Sequence, residues 1–172
     1  EPEALSVLAE TAAVAQVSLE YRAFSRAAQI PTAVYVVDTD IAGNPTGTMA
    51  TQRGLLAAFD ARGFETGGLP FEPRQFLALA RSDQLSLVRQ RFNGEYDRVV
   101  LGRASITEFE EGSSVSIEVG GEVRAIDLDT GEELYRATLA QRSRGNSAQS
   151  AIAAAFRGLG AKFAADLALS LP

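Results

Sequence analysis

Asp38 and Asp40 close the apolar run Thr32 to Asp38 (TAVYVVD) and are the most chemically suggestive pair in the chain. Carboxylates this close together can hold a divalent cation or trade protons as acid and base. The loop that follows, Gly43 to Thr48 (GNPTGT), adds the oxygen donors of Asn44 and Thr46. Its amides precede a helix start, where they could cradle an anion. Asp38, Asp40, Asn44 and Thr46 are therefore the candidate ligand-binding residues, with Glu65 a further carboxylate that a strand-helix-strand unit could bring near. A plainer reading stands beside this one, in which the acids cap a strand end and the loop is a turn with a helix cap. The loop is not a P-loop, because the GxxxxGK[ST] spacing is absent.

Other chemistries are excluded or weak. With no Cys and no His, the chain has no thiol nucleophile, no zinc-thiolate site and no imidazole base. No G-x-S-x-G or S-x-x-K motif activates a serine. Asp127 to Glu133 (DLDTGEE) has a superficial likeness to a calcium loop, but Gly131 and Glu132 occupy the wrong positions and Thr138 stands where the closing Glu belongs. A tight turn explains it better. Arg89, Arg91, Arg98 and Arg103 suggest a basic patch, against which their differing azimuths favour scattered surface charge. Sixteen basic against 22 acidic residues give a net charge of −6, a poor match for nucleic acid. No metal site and no cofactor are implied, and an enzyme is not expected.

The elements that must position these residues follow from periodicity. The 172 residues suit one domain, 1–172, in which 1–29 form an N-terminal helix with a possible extra strand and 30–172 form the core. Within the first part, a helix carries Leu5, Leu8, Ala12 and Ala15, and alternation from Gln16 suggests a strand; one long helix through Ala28 is the competing reading. Thr32 to Asp38 predicts a central strand covered on both faces. Thr48 to Arg62 predicts a helix with Met49, Leu56 and Phe59 on one face and Gly63 at its end. Phe64 to Gly67 predicts a second strand. Two helices follow, one opened by Pro73 and one capped by Ser82, and Asn93-Gly94 ends the second. Tyr96 to Phe109, the run around Ser114 to Leu128, and Leu134 to Ser143 predict an antiparallel meander. Its middle strand sets Val115, Ile117, Val119 and Val123 against a core and Ser116, Glu118, Glu122 and Arg124 toward water. The last helix is expected to be capped by Asn146, with a stripe from Ile152 through Phe156, Leu159, Phe163 and Leu167 to Leu171. Gly158 and Gly160 inside it hint at close approach to the sheet. The expected fold is α/β (α+β): a mixed sheet of about five strands, built from a strand-helix-strand unit and a three-strand meander, packed by a long C-terminal helix.

The wording of the second half, YDRVVLGRASITEF, then SSVSIEVGGEVRAIDLDTGEELYRATLAQRSRG, then an Ala-rich helix, resembles a recurring bacterial envelope module. That module is represented by the TolB N-terminal domain, CsgG, LpoB and the FlgT middle domain. The resemblance spans roughly Thr32 to Leu171, and TAVYVVD and LLAAFDARGF carry it through the first half. It implies a non-catalytic periplasmic or lipid-anchored assembly module that binds an envelope partner or its own copies, with no catalytic residue to carry over. A small-ligand or divalent-cation module at the Asp38/Asp40 strand end is the alternative. The apolar runs are too short to cross a membrane. No signal peptide is legible, so membrane anchoring is expected only if a lipidated cysteine has been removed. A carboxylate-dependent hydrolase is the weakest reading, because the acids are spread over turns and strand ends.

Overall fold

The computed structural model describes residues 25–172, and the expected helix and strand of residues 2–24 lie outside them. The described chain begins with a short 3-10 turn, Arg26–Gln29, where the competing long-helix reading would have continued an α-helix. Strand β1, Thr32–Thr39, is buried along its whole length, as its unbroken β-branched and apolar composition predicts. Its side chains alternate between two cores. Val34 and Val36 enter one, while Ala33, Tyr35 and Val37 enter the other.

Helix α1, Ala50–Asp60, follows the loop after β1 and leads to the short strand β2, Thr66–Gly68. The end of α1 is a paired Schellman closure. The Phe64 N–H donates to the Phe59 carbonyl at 3.0 Å and the Gly63 N–H to the Asp60 carbonyl at 2.9 Å, with Gly63 left-handed at φ 77°. The rings of Phe59 and Phe64 stack at 4.4 Å across it. The chain then forms α2, Pro73–Ala78, and α3, Arg81–Phe92. The meander is β3, Arg98–Glu111, β4, Val115–Asp127, and β5, Glu133–Gly145, and α4, Ala148–Ser170, closes the chain.

The five strands form one sheet in the order β2-β1-β3-β4-β5. β1 runs parallel to β2 and β3, and β3, β4 and β5 are antiparallel neighbours, so the sheet is mixed as expected. Helices α1 and α4 cover one face, with Leu55, Phe59, Phe156, Leu159, Phe163 and Leu167 packed on Val115, Ile117, Val119 and Val123. The shorter α2 and α3 cover part of the other through Phe76 and Val88. The result is three layers around two apolar cores.

Four local expectations are corrected. Met49 is not on the α1 face; it is the left-handed residue before the helix, at φ 50°, and packs into the opposite core. Ser82 does not cap α3, since Ala80 holds that position and Ser82 lies inside the first turn. Ser147, rather than Asn146, caps α4 by accepting the Ser150 N–H. The outward face of β4 is not wholly wet: Ile126 is buried under α2 and α3, and only 13% of the Arg124 side chain is exposed.

Candidate functional site

The loop Thr39–Ala50 leaves the carboxyl end of β1 at the point where the chain first turns to one side of the strand, to β2, and later to the other, to β3. Open α/β sheets place ligands at such a reversal. The structure brings the four candidate residues together here, each with a defined partner.

Asp38 is 1% exposed, and its carboxylate turns inward to the start of α1. Its Oδ2 accepts the Ala50 N–H, the Thr51 N–H at 3.2 Å and the Thr48 hydroxyl at 3.4 Å. Met49, the residue flanking the helix, offers no side-chain acceptor, so Asp38 supplies the cap from the neighbouring strand. The other oxygen, Oδ1, and the Thr51 hydroxyl are buried without a hydrogen-bond partner. Burial pushes the Asp38 carboxyl above its ordinary range, against the opposing pull of Thr51, Ala50 and Thr48.

Asp40 is on the surface and organises the loop. It accepts the Asn44 backbone N–H at 2.8 Å and the Asn44 side-chain amide at 3.4 Å. The loop amides, Asn44 first with Ala42 and Gly43 after it, hold its carboxyl below the usual carboxylate range. Gly43 takes φ 86°, a conformation open to a residue without Cβ. The Thr46 N–H donates to the Asp38 carbonyl at 2.9 Å, and its hydroxyl lies 3.0 Å from that of Thr48. Asp40 and Asn44 thus bond each other, while Thr46 bonds the Asp38 carbonyl and the Thr48 hydroxyl. Glu65 does not join them, because it precedes β2 at the opposite end of the parallel strands; its carbonyl accepts the Thr32 N–H. Among the described residues, no group of three or more acids is arranged to hold a metal ion.

The remaining candidates separate. Asp127 closes a turn by accepting the Thr130 N–H at 2.8 Å and its hydroxyl at 3.0 Å. The four arginines do not form a patch. Arg98 is 1% exposed, with its guanidinium against the Ala27 carbonyl and the Thr32 hydroxyl. Arg91 stacks over the Phe71 ring, Arg89 reaches the Asp129 carbonyl, and Arg103 leans on the Gly43 carbonyl.

Two further surfaces lie away from the candidate loop. One is the outer edge of β5, a 13-residue strand with no neighbouring strand on that side among the described residues. There the Lys162 Nζ donates to the Ala140 carbonyl at 3.0 Å and the Gln141 side chain to the Arg142 carbonyl at 2.8 Å. The other is an open groove of about 390 Å³ between the α2–α3 junction and strands β3 and β4. The single lysine was a possible signal for the first, since lysines guard sheet edges. No sequence pattern pointed to the second.

Comparison with known proteins gives both a family and a fold. A model of the TP0693-like lipoprotein C-terminal domain matches residues 31–168. No curated protein matches the chain. Among solved structures, the PelC dodecamer from Paraburkholderia phytofirmans superposes with a TM-score of 0.56 at 18% identity, covering 85% of this chain and 91% of that one. The hypothetical protein CT253 from Chlamydia trachomatis gives 0.51 at 13% identity, covering 83% and 98%. The LpoB C-terminal domain from Salmonella enterica matches more loosely, at 0.38 and 18% identity over 69% and 87%. At these identities the likeness is one of fold.

Proposed function

Because the chain belongs to the TP0693-like lipoprotein C-terminal domain family, we propose that it serves the bacterial cell envelope as a non-catalytic assembly module that binds copies of itself. The observation that carries this is the open side of β5. Thirteen residues of strand, Glu133–Gly145, present backbone donors and acceptors at the rim of the sheet, and such an edge is a template for pairing with another chain. The dodecameric state of PelC, which shares the fold, supports self-association over capture of an unrelated partner. The candidate loop supports the non-catalytic part of the reading. Its best carboxylate, Asp38, is buried against a helix start, where it caps backbone amides, and among the described residues no second acid is buried beside it.

Light scattering coupled to size-exclusion chromatography tests the proposal over a range of protein concentrations. The expected result is a defined oligomer that dissociates on dilution and is weakened by Thr138→Pro, a substitution in the middle of β5. A strict monomer at every concentration would overturn it. The convergence of Asp40, Asn44 and Thr46 on one loop supports a second reading, a small-ligand or cation site. It requires a saturable calorimetric response to calcium or magnesium that Asp40→Asn abolishes.

A further inference from the structure

We propose that the groove between the α2–α3 junction and strands β3 and β4 binds a small soluble amphiphilic acid, with its carboxylate on Arg103 and Arg124 and its apolar body against Phe76, Leu79 and Leu101. The groove has two chemically different walls. Phe76, Leu77 and Leu79 from the helical side and Leu101 from β3 form the apolar one. Arg81, Arg103 and Arg124 form the other, with Glu122 the only acid lining it among the described residues. Three guanidinium groups and one carboxylate give this pocket a local excess of positive charge in a chain whose net charge is −6.

The three cations are not equivalent. Arg81 donates to Glu122 at 2.8 Å and is thereby matched. Arg103 is the direct cross-strand neighbour of Glu122, yet its hydrogen bonds go to the Thr39 hydroxyl and the Gly43 carbonyl, both long at 3.5 and 3.4 Å. Arg124 makes no hydrogen bond to any described side chain; its nearest acid, Glu133, is 3.9 Å away. With only 13% of its side chain exposed, Arg124 is reached by solvent mainly through the groove. Partial burial disfavours its charge, and an anion seated in the groove would give the guanidinium a closer partner than Glu133. β4 pairs Leu101 with Arg124 and Arg103 with Glu122, so the two arginines stand on diagonal positions of one sheet face, and one carboxylate between them would draw Arg103 in from the Gly43 carbonyl and Arg124 in from Glu133. Gly120, on that same face, leaves the floor free of a side chain. Position in the fold agrees independently. Arg103 pairs with Val37 and Ser105 with Thr39, which places the groove beside the carboxyl end of β1 at the β1–β3 reversal.

Sodium decanoate, below its micelle-forming concentration, is the probe, titrated calorimetrically and by amide NMR. One saturable site is expected, with amide shifts centred on Gly120, Gly121 and Leu79. Inorganic phosphate, which lacks the apolar body, should bind at least about ten-fold more weakly, since burying even part of a chain is favourable. Decyltrimethylammonium should not bind. Arg124→Gln and the exposed Arg103→Glu should each weaken decanoate about ten-fold, the usual effect of losing one charged hydrogen bond. Should Arg124→Gln fail to fold, Arg103→Glu alone decides. Absence of saturation, shifts away from the groove, equal affinity in a folded Arg103→Glu variant, or retention only on phosphatidylglycerol vesicles would each overturn the proposal. None of these outcomes depends on the oligomeric state, so this site and the assembly role fail separately.

Discussion

Asp38 shows how a residue with the credentials of a catalytic acid becomes a structural one. Its carboxylate accepts the first amides of α1, a task a residue in the loop would ordinarily perform. Replacing it with alanine should cost about 1–2 kcal/mol, the range found for lost helix caps, as read by urea unfolding. The pH dependence has a definite sign. A carboxyl raised above its ordinary 3.8 by burial binds its proton more tightly in the folded chain than in the unfolded one. It therefore favours folding in acid, and that contribution is lost as pH climbs from about the ordinary value through the folded one. Asp38→Asn is neutral throughout, so the stability of wild type relative to this variant should fall as pH rises above the ordinary carboxylate range. A difference that rises with pH would contradict the burial argument. Asp127 works the other way: its turn amides, Thr130 first, hold it low, so its contribution is present at neutral pH and declines in acid.

At the level of elements, the two glycines of α4 have different jobs. A Cβ on Gly160 would lie 2.1 Å from the Thr51 carbonyl oxygen, and one on Gly54 of α1 would lie 2.3 Å from that of Arg157. The two helices therefore touch backbone to backbone. Sequence reasoning expected close approach to the sheet; for Gly160 the neighbour is another helix. Gly158 does face the sheet, but only the flexible side chain of Gln141, at 3.2 Å. Gly160→Ala should destabilise by about 1–3 kcal/mol through overpacking, whereas Gly158→Ala should be neutral or gain up to about 1 kcal/mol from helix propensity. Chemical denaturation of the two variants separates them. Periodicity reported the stripe Phe156, Leu159, Phe163 and Leu167 and the alternation of β4 because both depend on nearest neighbours along one element. It could not report which helix would lie against Gly160. Nor could it show that Asp38 would cap a helix from across a loop, or that α2 and α3 would bury Ile126. Those are meetings of elements distant in sequence, and no local period encodes them.

On the scale of the molecule, the three-layer arrangement explains why the sheet is unequally protected. α1 and α4 cover one face broadly, while α2 and α3 reach only as far as the first half of β3 and the second half of β4. The rest of that face is a lattice of ion pairs. Arg142 bridges Glu108 and Glu118, and Arg136 binds Glu133 through two nitrogens. Exposed pairs of this kind contribute little individually, and their mixed signs discourage indiscriminate stacking of sheets. Raising salt should therefore change the unfolding midpoint only slightly, while weakening decanoate binding in the groove; a large salt effect on folding itself would assign these pairs a greater role. Lys162 carries one more implication for the whole particle. It is the sole lysine in the sequence, and its amine clasps the Ala140 carbonyl on the rim that the Gln141 side chain also touches at the Arg142 carbonyl. A reagent that acylates lysine would therefore strike this single clasp, leaving every arginine untouched. The rim would then be freer to zip onto a neighbouring copy, which turns an ordinary labelling reaction into a means of tuning polymer growth.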